Sequence, residues 1–224
     1  MTDSTEKDLI PLVIVTGASG RLGSLTMEGF LDAGYDVVGL DQAASNDGEA
    51  PILAIDATDE TSVADAFNTI VGEHGIPTVV IHTVGMWAMK PFAETSLSDW
   101  STMMDVNLTS AFLVFREAVR VMSDGEEGPF GTLIGISSKQ GSVRGAAQQA
   151  AYSASKAGVK RLVEAVAQEY AGTDLTAHAI APSTILFDGD EGDGVAVEDL
   201  VSHCLYLASE SGPSLNGDTL HAFG

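Results

Sequence analysis

Tyr152 and Lys156 stand four residues apart in the stretch Ala151-Tyr152-Ser153-Ala154-Ser155-Lys156-Ala157-Gly158. The segment that follows, residues 159–170, carries Val159, Leu162, Val163, Val166, Ala167 and Tyr170 at helical spacing. Positions four apart share a helix face, so a phenol and an ammonium would stand side by side. A free phenol has a pKa of about 10 and exchanges protons poorly near neutrality. A fixed positive charge beside it favours phenolate and lowers that value. The pair could then pass a proton to or from an alcohol or ketone oxygen. Alone, the pattern also fits an ordinary amphipathic helix with one aromatic and one solvated lysine. Its meaning rests on the elements that would position it.

The first of these elements lies near the start. Residues 12–16, Leu-Val-Ile-Val-Thr, read as a strand buried on both faces. Gly17-Ala18-Ser19-Gly20-Arg21-Leu22-Gly23 follows directly, then a helical pattern over 22–33 that stops near Gly34. A second strand, 37–40, ends at Asp41, about 24 residues after Gly17, close to the spacing of a dinucleotide-binding unit. Gly17 would allow the tight turn, Gly20 the approach of backbone to a pyrophosphate, and Gly23 the close packing of helix on strand. The helix N-terminus then faces the phosphates. A carboxylate at Asp41 would accept hydrogen bonds from a ribose 2′-hydroxyl and repel a 2′-phosphate, which predicts NAD in preference to NADP. Without this context the glycines would describe only a loop.

Further along, strands are expected at 52–55, 78–82, 132–137, 176–180 and 219–221. Helices are expected over 60–74, with Thr58 or Asp59 as N-cap, over 98–122 and over 197–208. Loops fall at 86–92, which is apolar, and at 123–131, which is acidic. Strands alternating with helices predict an α/β fold: a single Rossmann-type domain over 1–224, a doubly wound parallel sheet of about seven strands with helices on both faces. Residues 1–10 form a polar tail, and 184–197 a short acidic loop.

Composition narrows the function classes. With 224 residues, 45% of them hydrophobic, the chain can bury a sizeable core. The polar, acidic N-terminus does not resemble a secretory signal, and no apolar run could span a bilayer. A cytoplasmic protein is expected. The 32 acidic residues against 10 basic ones give a net charge of −22, which repels phosphate backbones and anionic membranes. Neither nucleic acid nor membrane is an expected partner. The scarcity of lysine resembles that of proteins from salt-loving archaea, where potassium chloride screens the self-repulsion. Cys204, the only cysteine, sits in an apolar run and reads as a core thiol. The histidines at 74, 82, 178, 203 and 221 lack metal-ligand spacing. The acidic run 188–194 has Gly192 and Asp193 where a calcium loop needs an oxygen ligand and a glycine. No metal is expected.

Taken in order, Thr16-Gly17-Ala18-Ser19-Gly20-Arg21-Leu22-Gly23, Asp41, Asp56, Asp105-Val106-Asn107-Leu108, Ile136-Ser137-Ser138, Tyr152 with Lys156, and Ile180-Ala181-Pro182 resemble the short-chain dehydrogenases/reductases over nearly the whole chain. The resemblance implies an oxidoreductase that moves a hydride between nicotinamide and a small alcohol or carbonyl compound. It implies Tyr152 as general acid/base, Lys156 as the group that lowers its pKa and binds the nicotinamide ribose, Ser138 (rather than Ser137) as the hydrogen-bond partner of the substrate oxygen, and Asn107 as holder of a relay water. Gly17, Ser19, Gly20, Arg21, Leu22, Gly23, Asp41, Asp56, Pro182 and Ile185 would contact the cofactor, with Asp56 at adenine and Ile185 at the carboxamide. A homodimer or homotetramer is implied, packed through the helices of Asn107 and Tyr152.

Four departures from the family pattern stand out. The glycine spacing is that of the extended and atypical branches. His82-Thr83-Val84-Gly85 replaces Asn-Asn-Ala-Gly, with His82 expected in a structural hydrogen bond. The Ser138-to-Tyr152 interval is one residue longer than in the classical branch, and Ser183 follows Pro182 where glycine is usual. The lid over the substrate is also truncated to 184–197, which motivates a rival reading as a non-catalytic dinucleotide sensor. An epimerase or dehydratase of the extended branch would need a further C-terminal substrate domain. Met86, Trp87, Met89 and Phe92 could line the substrate pocket, join the core or pack in an interface.

Overall fold

The computed structural model describes residues 10–124, 128–209 and 212–224. The first apolar run forms β1 (Leu12–Thr16), buried at every position. It leads through the glycine turn to α1 (Arg21–Asp32) and β2 (Asp36–Asp41). β3 (Ile52–Ala54), α2 (Glu60–Glu73) and β4 (Val79–His82) follow, and the Asp59 carboxylate caps α2 by accepting the Ser62 N–H. Next come α3 (Leu97–Met104), α4 (Ser110–Met122), β5 (Phe130–Ile136) and the short α5 (Lys139–Ser142). The chain closes with α6 (Ala150–Glu169), β6 (Asp174–Pro182), β7 (Ile185–Leu186), β8 (Val195–Ala196), α7 (Val197–Ala208) and β9 (Thr219–Ala222).

Seven strands form one parallel sheet in the order β3-β2-β1-β4-β5-β6-β9. Strand alternation splits the core in two. Leu12, Ile14, Val80 and Leu133 face α2, α4 and α6, packing on Phe67, Phe115 and Val159. Val13, Val15, Ile81 and Ile134 face α1 and α7, packing on Phe30, Leu200 and Cys204. Cys204 is therefore a core thiol, and burial pushes its pKa up to about 12. The result is a single α/β domain of doubly wound, Rossmann type. Beyond β1 the chain goes to β2 on one side and β4 on the other. That reversal opens a crevice at the C-terminal ends of the strands, where such sheets hold ligands.

Two expectations need correction. The helix expected over 98–122 is two helices, joined by a turn of π-helix at Asp105–Thr109. The Ser110 hydroxyl takes the Val106 carbonyl at 2.6 Å, and Asn107 is drawn into the interior. Such a turn re-aims one side chain without ending the helix. The loop expected over 184–197 contains a strand pair: Ile185 and Leu186 lie beside Val195 and Ala196, because Ile185 and Val195 pack on the core under α7. The interval between Ser138 and Tyr152 contains α5, capped by the Ser138 hydroxyl. The tail 1–10, apart from Ile10, and residues 125–127 of the acidic loop lie outside the described residues.

Candidate active site

A cavity of about 480 Å³ occupies the crevice. Gly17, Ser19, Gly20, Arg21, Leu22, Gly23, Asp41 and Asp56 line it together, with Thr58, Val84 and Gly85. Gly17 adopts φ +71°, a left-handed backbone that suits only glycine well, and its N–H reaches the Leu40 carbonyl at 2.8 Å. A Cβ on Gly23 would stand 2.0 Å from the Gly17 carbonyl oxygen, so this glycine lets the first turn of α1 fold onto the preceding backbone. No side chain caps α1, and its first turn holds no acid. Its N-terminal amides are left to a ligand, and an anion is the ligand they suit.

The Asp41 carboxylate stands at the end of β2, accepting the Ser19 N–H at 2.8 Å and the Gln42 N–H at 2.7 Å. Asp56 accepts from the Thr58 N–H at 2.9 Å and the Thr58 hydroxyl at 2.6 Å, and these bonds hold its pKa below the ordinary value. Arg21 reaches out of the cavity to Asp190 at 3.4 Å and lies over the Phe187 ring, joining it to the 184–197 segment. These residues fit a dinucleotide: a glycine-built phosphate cradle, with two carboxylates in the same cavity.

A second cluster adjoins the cavity at Gly85. A Cβ there would lie 2.9 Å from the Lys156 Nζ and 3.3 Å from the Asn107 Oδ1. Asn107 is fully buried, and both the oxygen and the nitrogen of its carboxamide have partners. Oδ1 accepts the Met86 N–H at 2.7 Å, and Nδ2 donates to the Met86 carbonyl at 3.0 Å and to the Ser155 hydroxyl at 2.9 Å. Ser155 in turn donates to the Tyr152 carbonyl at 2.9 Å. One side chain thus ties the β4 loop to α6.

His82 is structural. Its Nδ1 lies 2.9 Å from the Thr16 hydroxyl and its Nε2 3.1 Å from the Ser110 hydroxyl. Because Ser110 donates to Val106, it accepts from Nε2–H, and Thr16 then donates to Nδ1. Burial, with the Lys156 ammonium nearby, pushes the imidazole pKa down to about 3, so it is neutral.

Ser138 and Ser137 part company. Ser138 faces Tyr152, whereas Ser137 donates to the Lys156 carbonyl at 2.8 Å. The lowering of the Tyr152 pKa expected from Lys156 is not found. Burial raises the phenol, and the hydroxyl of Ser138 is what draws it down. The Lys156 Nζ donates to the Ile136 carbonyl at 2.9 Å, and desolvation brings its own pKa to about 8. An ammonium engaged with another acceptor gives the phenolate little help.

Pro182 ends β6, and Ile185 lies in β7 against the core; neither lines the large cavity. Trp87, Met89 and Phe92 are 57, 49 and 79% exposed, which removes the core reading for them. Sequence reasoning missed Ser155 and the Met86 backbone. Ser155 sits one helical turn from Tyr152, a usable signal, but a backbone partner leaves none.

The short chain dehydrogenase family matches residues 11–191. A cis-4-hydroxycyclohexanecarboxylate dehydrogenase of Sinomonas cyclohexanicum is 31% identical over 76% of this chain and 72% of its own. A 3-oxoacyl-[acyl-carrier-protein] reductase of Salmonella typhimurium is 26% identical, covering 95% of this chain and 96% of its own. The ligand-free aldohexose dehydrogenase of Thermoplasma acidophilum superposes with a TM-score of 0.84 at 24% identity, covering 95% of this chain and 92% of its own.

Proposed function

The chain belongs to the short chain dehydrogenase family, and from that premise we propose that it is an NAD-dependent oxidoreductase acting on a small alcohol or carbonyl compound. The observation that carries the reading is that the Ser138 hydroxyl draws down the pKa of the half-buried Tyr152 phenol, in a chain that also holds a cavity whose lining suits a dinucleotide. The dehydrogenases and reductases among its relatives support the same class.

Bound, the nicotinamide would supply or receive the hydride. In the reducing direction Tyr152, kept protonated by its burial, gives a proton to the substrate oxygen as the hydride reaches the carbonyl carbon. Ser138 holds the developing oxyanion through its hydroxyl. The reverse direction returns the proton to the phenol. Lys156 would bind the nicotinamide ribose. Asn107, which positions α6 through Ser155, would hold a relay water. Asp41 would select NAD, and Pro182 and Ile185 would border the nicotinamide.

A homodimer or homotetramer is proposed as well. Phe112, Leu162, Val166 and Tyr170 line a groove of about 390 Å³ on the α4–α6 face, and Phe112 is 44% exposed. The cytoplasmic location and salt-loving source remain part of this reading, supported by the charge of −22. Among the described residues no helix is long and apolar enough to cross a membrane.

The test is NADH oxidation against a panel of aldehydes, ketones and quinones in molar potassium chloride, with Tyr152→Phe alongside. Turnover that collapses in the variant by about 10²-fold or more is expected. NADH binding without turnover of any substrate would favour the sensor reading.

A further inference from the structure

Cations are scarce in this chain, and their placement is informative. Among the described residues Arg21, Lys90, Arg116, Arg120, Lys160 and Arg161 each pair with a carboxylate. Lys156 is buried in the site already described. Only Lys139 and Arg144 remain without a carboxylate partner, and both line the same cavity of about 300 Å³. In a chain with 32 acids, two such cations lining one cavity are unlike the rest of the described molecule.

The cavity also adjoins the reacting groups. Lys139 follows Ser138 directly. Gly145 and Ala146, which also line it, lie against Ser153, the residue after Tyr152; the Ala146 N–H reaches the Ser153 hydroxyl at 3.4 Å. Ser183 and Thr184, beyond the end of β6, line it as well. Phe223 supplies an apolar wall and carries Lys139 over its ring at 4.9 Å. Asp193 is the only carboxylate lining it, and it forms an ion pair with neither cation.

We infer that this cavity receives a carboxylate group of the substrate, held by Lys139 and Arg144 while Ser138 and Tyr152 hold the reacting oxygen. This rests on the oxidoreductase reading and narrows it to hydroxy acids and oxo acids. Two cations against one carboxylate leave a single positive excess, which matches a carboxylate monoanion better than a phosphate dianion. A guanidinium presents paired donors to the two oxygens of a carboxylate, and a lysine adds a point charge. The negative field elsewhere disfavours entry by any other route.

Binding separates this inference from the reaction. In Tyr152→Phe protein loaded with NADH, at the lowest salt that keeps it folded, 4-oxocyclohexanecarboxylate and 4-oxopentanoate are each titrated against their methyl esters, with NADH fluorescence as readout. The acids are expected to bind at least tenfold more tightly than the esters. Adding Lys139→Gln and Arg144→Gln should abolish that difference and leave ester binding unchanged. Esters that bind as well as acids, failure of both acids to bind, or a difference that survives both substitutions would overturn the inference. Tighter binding of dihydroxyacetone phosphate than of either acid would overturn the carboxylate assignment. If the acids bind and the Tyr152-bearing protein turns over neither them nor any other carbonyl compound, the reaction fails and the anion site stands.

Discussion

The carboxamide of Asn107 and the backbone of Met86 form a closed pair, Oδ1 accepting the N–H at 2.7 Å and Nδ2 donating to the carbonyl at 3.0 Å. This is the bond pattern of neighbouring strands, made by a side chain, and it fixes the loop after β4 against a turn of π-helix. Asn107→Ala leaves two partly buried backbone groups and the buried Ser155 without their partner. Each unsatisfied group costs about 1–3 kcal/mol. The variant is expected to lose about 2–4 kcal/mol of stability in urea unfolding and to bind NADH more weakly, because Gly85 lies in the same loop. Asn107→Asp keeps the acceptor and loses the donor, and should fall between wild type and alanine if the pairing, rather than bulk, is what matters.

Ser138 and Ser137 give a paired test. Ser138 faces the phenol, and Ser137 is spent on the Lys156 carbonyl. Ser138→Ala should lower kcat by about 10²–10³-fold with cofactor affinity retained, the size of loss seen when one oxyanion donor is removed. Ser137→Ala should instead cost about 1 kcal/mol of stability and leave kcat within a few-fold. Equal losses of turnover would contradict the assignment of roles.

Cofactor choice is expected to follow Asp41. Its carboxylate is oriented by the Ser19 and Gln42 amides at the cavity wall. A 2′-phosphate placed there would meet a fixed negative charge. NADH should bind at least tenfold more tightly than NADPH, and Asp41→Ala should narrow that ratio mainly by improving NADPH. Fluorescence titration of the two cofactors decides it; tighter NADPH binding by the wild type would reverse the assignment.

His82 makes stability depend on pH. Its folded pKa of about 3 lies below the unfolded value of 6.5. Between those values the unfolded chain binds the additional proton, so stability present above the unfolded pKa is lost as pH falls towards the folded one. The slope approaches about 1.4 kcal/mol per pH unit. His178 contributes in the same direction, its pKa also lowered by burial. Urea midpoints at pH 6.5 and about 4.5 should therefore fall less steeply for His82→Asn than for the wild type. An unchanged slope would mean that the imidazole is charged in the folded state.

Gly23→Ala tests the phosphate turn. The added methyl would sit 2.0 Å from the Gly17 carbonyl oxygen and 3.1 Å from the Ala18 Cα, backbone atoms that cannot swing aside. Overpacking of this kind costs about 1–3 kcal/mol. NADH affinity should fall at least tenfold, while Gly34→Ala, where the position is open but φ is +88°, should affect stability and not the cofactor. Calorimetry with and without NADH separates the two effects.

Much of the architecture was legible in local pattern. The buried run 12–16, the glycine turn, Asp41 and the alternation of strands with helices identify a doubly wound sheet, because a strand covered on both faces and a helix covered on one leave different periods in the chain. The same pattern placed the glycines, Asp41 and Asp56 around one cavity, since all end parallel strands on the same edge. Tertiary structure alone decided the rest. The π-turn at Asp105–Thr109 has no periodicity of its own; it arises where Ser110 takes a main-chain carbonyl and Asn107 finds partners in a distant loop and helix. The raised pKa of Tyr152 has a related reason. Helical spacing puts Lys156 on the same face as the phenol, but whether its ammonium serves that phenol depends on the carbonyl of Ile136, contributed by another strand. That Lys139 and Arg144 have no carboxylate partner among the described residues likewise appears only in the folded chain. Sequence spacing determines which residues can share a face, while charge and hydrogen bonding are settled by the neighbours that folding brings to that face from elsewhere in the chain.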